Sequence, residues 1–234
     1  MSNSRNHILA TIRKALVQAA HLPTAARVPL TPEPVGEREA LLEQFSLELG
    51  LVGGVCVRER AGAVAVTARV LELARAAGAG EVLAWDQAHL PVPGLLDALR
   101  AAGLRLLDGS LPHDEPARAA AVARLETCRV GLTGADAALA ETGTLALRGG
   151  PGRPRLASLS VALHIALVTP EQFWTSWAGW WQANTGPAGP GGRDWMTGAS
   201  HLTLVTGPNR TGDIEMTLTV GVHGPRTVHV IIAG

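Results

Sequence analysis

Apolar positions fall into short, regularly spaced groups along the chain. Near the N-terminus, Ile8, Ile12, Ala15, Leu16 and Ala19 recur at helical spacing, which predicts a helix over residues 3–19 capped by Ser2 or Asn3. Residues 21–35 hold four prolines and keep no period, so they read as a linker. Helix and strand patterns then alternate. Helices are expected at 36–49, with Leu41, Leu42, Phe45 and Leu49 on one face, and at 63–77, 93–102 and 115–125. Short apolar runs at 51–58, 81–85, 104–107 and 128–133 read as strands.

The rhythm changes after Gly134. Segments 137–141 and 144–147 flank Thr142–Gly143 and suggest a hairpin. Residues 163–168 form a buried-strand pattern, and 170–182 reads as a helix opening on Pro170. Residues 184–200 are Gly/Pro-rich and read as a loop; 202–206 and 228–232 are strands. The stretch 213–222 fits either strand or helix. Repeated alternation predicts an α/β fold with a mostly parallel sheet and helices on both faces. The domain plan is a helical arm and linker over 1–35, then an α/β domain over 36–234.

Composition narrows the function classes. The 20 basic and 20 acidic residues cancel, so there is no bulk cationic field and nucleic acid is a poor partner. The first 32 residues are nevertheless acid-free and carry Arg5, Arg13, Lys14 and Arg27, making the arm a candidate docking element. Two cysteines, Cys56 and Cys128, cannot build a disulfide scaffold, a Cys-ligated zinc site or an iron–sulfur cluster alone. No apolar run is long enough for a membrane span, and no signal peptide is evident, so a cytoplasmic location is expected. A homo-oligomer is possible.

Three segments join polar residues to glycine beside an apolar strand: 134–148, 207–215 and 221–226. Glu141, before the Thr142–Gly143 turn, could act as base or nucleophile, but spacing alone favours a carboxylate satisfied by hairpin N–H groups or an Arg. Arg210 could hold an anion while Asp213 receives ligand hydroxyls, or the two could pair with each other. The segment lacks the spacing and Lys of a Walker loop. Arg226 could clamp a carboxylate bidentately, and His223 could exchange a proton. Asp136, Thr142, Gly143, Thr144, Gly207, Thr211, Glu215 and Gly224 complete the candidate binding residues. His164 reads as a satisfied core residue. Trp174, Trp177 and Trp181, at i, i+3 and i+7, read as a core or interface stripe.

TGADAALAETGTLAL (133–147), GPNRTGDIE (207–215) and GVHGPRTVHVII (221–232) together closely resemble the LUD domain of the LutC/YkgG family, the lactate utilization protein C family. SRNHILATIRKAL (4–16) resembles that family's opening. Gly212 departs from the pattern, where Ala is expected. The resemblance implies a fold like that of ribose-5-phosphate isomerases and CoA transferases. It also implies a non-redox place in a system oxidising L-lactate to pyruvate. The iron–sulfur clusters would then sit on LutA-like and LutB-like partners, with no cofactor on this chain. A small carboxylate or phosphate is the expected ligand. The alternatives are a stand-alone CoA/acyl-transferase or sugar-phosphate isomerase using Glu141, and a regulatory module sensing lactate or a related anion. Glu141–Gly143 matches the nucleophile spacing of CoA transferases by fold-level analogy only.

Overall fold

The computed structural model describes residues 2–19, 37–109, 111–185, 198–212 and 218–234. The chain divides into two compact units, Met1–Thr31 and Pro32–Gly234. In the first, helix α1 (Ser2–Ala19) covers the expected segment and leaves Ile8, Ile12, Leu16 and Val17 exposed. Among the described residues no helix is long and apolar enough to cross a membrane.

The second unit is built on a six-stranded, wholly parallel sheet. Its strands are β1 (Val55–Glu59), β2 (Glu81–Ala84), β3 (Arg105–Leu107), β4 (Val130–Thr133), β7 (Leu163–Val168) and β12 (Thr227–Ala233), in the order β1-β12-β7-β4-β2-β3. These fall in the six apolar runs expected at 51–58, 81–85, 104–107, 128–133, 163–168 and 228–232, except that Leu51 closes α2 and the Gly53–Gly54 turn delays β1 to Val55. The inner strands β4 and β7 are buried at every residue, which removes the need for a polar alternation.

Helices cover both faces. Helix α2 (Arg38–Leu51) buries Leu41, Leu42, Phe45 and Leu49. It ends where Gly53 takes φ +82° and Gly54 N–H reaches back to the Leu49 carbonyl at 2.9 Å, a glycine-type helix stop. Helix α3 (Gly62–Ala76) buries Val66, Val70 and Ala74. It packs on β12 over the face that carries His229, where burial first and then the Arg69 charge hold the His229 pKa below its usual value. The short α6 (Leu156–Leu159) covers the opposite face: a Cβ on Gly131 would lie 1.8 Å from the Ala157 carbonyl oxygen. Helices α4 (Leu95–Ala101) and α5 (Glu115–Thr127) complete the layer, with the Asp114 carboxylate capping the latter through Ala117 N–H at 3.1 Å.

A second sheet of four strands grows from the expected hairpin. β5 (Ala137–Leu139) and β6 (Thr144–Gly149) pair antiparallel, β9 (His201–Val205) adds to β6, and β8 (Phe173–Trp174) adds to β5 in parallel. β8 corrects the helix expected over 170–182. Pro170–Gln172 is a single 3-10 turn closed by a Thr169–Gln172 capping box, and α7 starts only at Trp177 (Trp177–Thr185). Two aromatics in sequence suit a strand, and Phe173 gains an edge-to-face contact with Phe45 at 5.1 Å; these gains outweigh helix continuity. The tryptophan stripe shifts accordingly. Trp180 is the buried ring, with Trp174, Trp177 and Trp181 partly buried around it. Within the undecided 213–222 stretch, β11 (Leu218–Val220) pairs antiparallel with β10 (Arg210–Gly212). Most of the 184–200 loop lies outside the described residues.

Candidate functional site

Neighbouring strands β2 and β4 send the chain in opposite directions. β2 leads outward to β3, and β4 leads to β7 on its other side. In an open α/β sheet the carboxyl ends at such a reversal leave a crevice. Here β2 runs into Trp85, Asp86 and a 3-10 turn at Gln87–His89, while β4 runs into residues 134–136. The two ends touch: a Cβ on Gly134 would sit 2.3 Å from the His89 carbonyl oxygen, so only glycine fits.

The loop after β6 crosses this crevice. Asp136 accepts from Arg148 N–H at 2.7 Å and from Arg153 Nη1 at 3.0 Å, and Arg148 Nη2 lies 3.4 Å away. The carboxylate is only 11% exposed, so it depends on these partners. The Arg153 guanidinium also lies 5.4 Å from the centroid of the Trp85 ring, a cation–π contact. Trp85 Nε1 donates to the Pro154 carbonyl at 3.3 Å and Asp86 N–H to that of Gly152 at 2.8 Å, pinning the loop to the end of β2. The His201 ring lies against Gly149, where a Cβ would approach it to 1.9 Å. Between these groups is a cavity of about 160 Å³ lined by His89, Arg148, Gly149, Gly150 and Arg153. Burial lowers the His89 pKa and the Arg153 charge adds to the effect, outweighing a hydrogen bond to the Pro151 backbone and the Asp86 and Asp136 charges. His201 is lowered by burial and then by Arg155.

The sequence candidates divide between this crevice and other places. Asp136 is in the crevice. The Glu141 carboxylate accepts from Trp177 N–H at 3.1 Å, capping α7, and its own N–H donates to the Thr175 carbonyl. Gly143, at φ +62°, is pressed against α2; a Cβ there would lie 2.3 Å from Leu49 N. Thr142, Thr144 and Thr206 form a chain of hydroxyls with two 2.7 Å steps.

Gly207 abuts Val52, whose carbonyl accepts from Arg210 Nη2 at 2.6 Å. Thr211 pairs with Thr219 in the small hairpin. Asp213 and Glu215 lie outside the described residues. Asn209, not singled out from sequence, joins the second and third segments. Its N–H donates to the Pro225 carbonyl, its carbonyl accepts from Gly221 N–H, and its Oδ1 accepts from His223 N–H. Gly224 packs against its side chain. Arg226 precedes β12 and, with His223 and Arg129, lines an open groove of about 640 Å³ at the amino ends of the strands. Asp136 and Arg226 therefore lie at opposite ends of the central strands, Asp136 beyond the carboxyl end of β4 and Arg226 before the amino end of β12.

Arg148 lies inside the first motif, and Arg153, His89 and His201 lie outside all three. No spacing rule connects them. The one usable signal was Gly149–Gly150 at the end of a strand, where backbone can approach a ligand closely.

The fold and crevice define a class: an α/β protein with a parallel, doubly covered sheet and an arginine-lined pocket at its switch point. A sequence profile of the LUD domain matches residues 54–233. The chain belongs to the LUD domain family. It is 30% identical over 160 residues to lactate utilization protein C of Halalkalibacterium halodurans, covering 66% of this chain and 63% of that protein. It is 28% identical over 208 residues to lactate utilization protein C of a Geobacillus species, covering 83% and 78%. The match to the first of these thus spans less than two thirds of that relative's length. The fold is similar to that of a DUF162 family protein from Deinococcus radiodurans, with a TM-score of 0.56 at 21% identity, covering 85% of this chain and 99% of that one.

Proposed function

We propose that this protein is a non-redox component of a system oxidising L-lactate to pyruvate. What supports the reading is the likeness to proteins named lactate utilization protein C, which extends over 83% of the chain in the Geobacillus case. The cysteine count agrees with a cluster-free role. Cys56 and Cys128 are the only cysteines of the sequence, too few to ligate an iron–sulfur cluster alone. The iron–sulfur clusters then belong to LutA-like and LutB-like partners in the cytoplasm. Helix α1, with an apolar stripe and no acid, is the segment assigned to contact with them.

The test is deletion of the gene in a strain with no other lactate dehydrogenase, grown on L-lactate as sole carbon source. Loss of growth that the intact gene restores is expected. Unimpaired growth would contradict the reading.

A further inference from the structure

We infer that the outer edge of β1 is a docking surface for a second copy of this chain, with the two β1 strands paired antiparallel about Val57. None of the three sequence motifs touches this edge, and the pairing stands whether or not the chain serves lactate oxidation.

The strand itself selects the edge. β1 and β3 are the two outermost strands of the central sheet. β3 is three residues long and offers an incoming strand little to pair with. β1 runs for five residues, holds no proline and keeps an unbroken register with β12, so no bulge turns it away. Among the described residues no strand pairs with its other side. Gly234 N–H donates to the Glu59 carbonyl, which fixes the phase of the ladder. Val55, Val57 and Glu59 direct their backbone groups to β12; Cys56 and Arg58 direct theirs outward. A two-fold axis through Val57 brings Cys56 of one copy opposite Arg58 of the other. The outward residues therefore meet each other, and each such pair exchanges both of its N–H···O=C bonds.

The flanking surface fits the same occupant. Ser46 hydrogen-bonds the Cys56 thiol, so this part of α2 lies almost level with the axis. The next residue, Leu47, points away from the core and is 63% exposed. It lines an open groove of about 530 Å³ beside the end of β1, with Glu39, Glu43, Arg58 and Arg60. Pairing about Val57 brings Leu47 toward its own copy on the α2 face and Val57 toward its own copy on the α3 face. Apolar contact then backs the joined strands on both sides. Charge does not oppose the approach. Two carboxylates and two guanidinium groups balance in the groove, and Glu39 holds Arg58 at 2.8 Å and Arg60 at 3.3 Å. A strongly charged foreign segment finds no field to draw it here, whereas an identical edge meets no like-charge repulsion.

The experiment is sedimentation equilibrium of the full chain at micromolar concentration, with Leu47→Glu beside it. The wild-type protein should show twice the mass of the chain. Leu47→Glu places like charges at the axis and should halve that mass; because Leu47 faces solvent, the melting temperature of the monomer should stay in place. Amide hydrogen exchange of the native protein reads the register without a variant. The Cys56 and Arg58 N–H groups should be protected in a concentrated sample and exchange about tenfold or more faster on dilution, with Val57 protected throughout. Val57→Cys gives a covalent reading: residues facing each other in a non-hydrogen-bonded pair are close enough for a disulfide, so oxidation should yield a dimer linked through position 57. Three results would overturn the inference: a monomer at every concentration, a dimer that Leu47→Glu leaves intact while the Cys56 and Arg58 amides exchange freely, or protection of those amides in a monomer. The last would assign the edge to a segment of the same chain.

Discussion

Arg153 donates to the Asp136 carboxylate at 3.0 Å, and that contact ties the loop after β6 to the end of β4. Together with the Trp85–Pro154 and Asp86–Gly152 hydrogen bonds it joins that loop to the central sheet at the crevice. The same carboxylate also accepts from Arg148 N–H, so removing it strips acceptors from a backbone donor and two guanidinium groups at once. Asp136→Ala should destabilise the fold by about 2 kcal/mol, read by urea denaturation. Asp136→Asn, which keeps one acceptor, should cost less.

Two glycines give opposite expectations. Gly143 sits at φ +62° with Leu49 backbone 2.3 Å from any added Cβ, so Gly143→Ala should cost at least about 2 kcal/mol or prevent folding. Gly212 has no positive φ, and among the described residues nothing lies within 4 Å of an added Cβ. Gly212→Ala should change stability by no more than about 0.5 kcal/mol. Thermal melts of the two variants side by side check both.

His164 predicts a pH dependence. It is fully buried on β7 with Nε2 2.9 Å from Thr133 Oγ1 and, among the described residues, no partner for Nδ1, and burial lowers its pKa to about 4. The unfolded chain takes up this proton near the ordinary value of 6.5, so the fold loses stability as pH falls from there toward 4. The loss attributable to His164 should approach about 3 kcal/mol. Urea midpoints across this range should show a steeper slope for the wild-type chain than for His164→Leu.

Glu141 caps α7, so Glu141→Ala should cost about 1 kcal/mol and Glu141→Gln less. Intact mass after incubation with acyl-CoA and hydroxylamine should be unchanged. A hydroxamate on Glu141 would instead favour the transferase chemistry.

Much of the fold is legible in the sequence because its central strands are buried on both faces. Such strands appear as plain apolar runs, as at 128–133 and 163–168, without needing a period. The glycine beyond α3, Gly78 at φ +64°, is equally readable, being set by local backbone sterics, whereas Gly53, expected within a strand, proved to be the stop of α2. The 170–182 error has a tertiary cause. Nothing local says that Phe173 will pair with Ala138 or meet Phe45. The crevice was hidden for the same reason. His89 in a 3-10 turn, Arg153 in a loop and His201 at the start of β9 are distant in sequence, and in an arginine-rich chain Arg153 looks like any other. Glu141 drew attention through local pattern alone, and its partner, the first turn of α7, is 36 residues away.

The most direct test joins the crevice to the proposed role. The deletion strain, complemented with wild-type protein or with Arg153→Lys at equal abundance, is grown on L-lactate. The wild-type chain should restore growth, and the variant should leave it markedly slower. Equal growth with both would contradict the claim that this crevice serves lactate utilization.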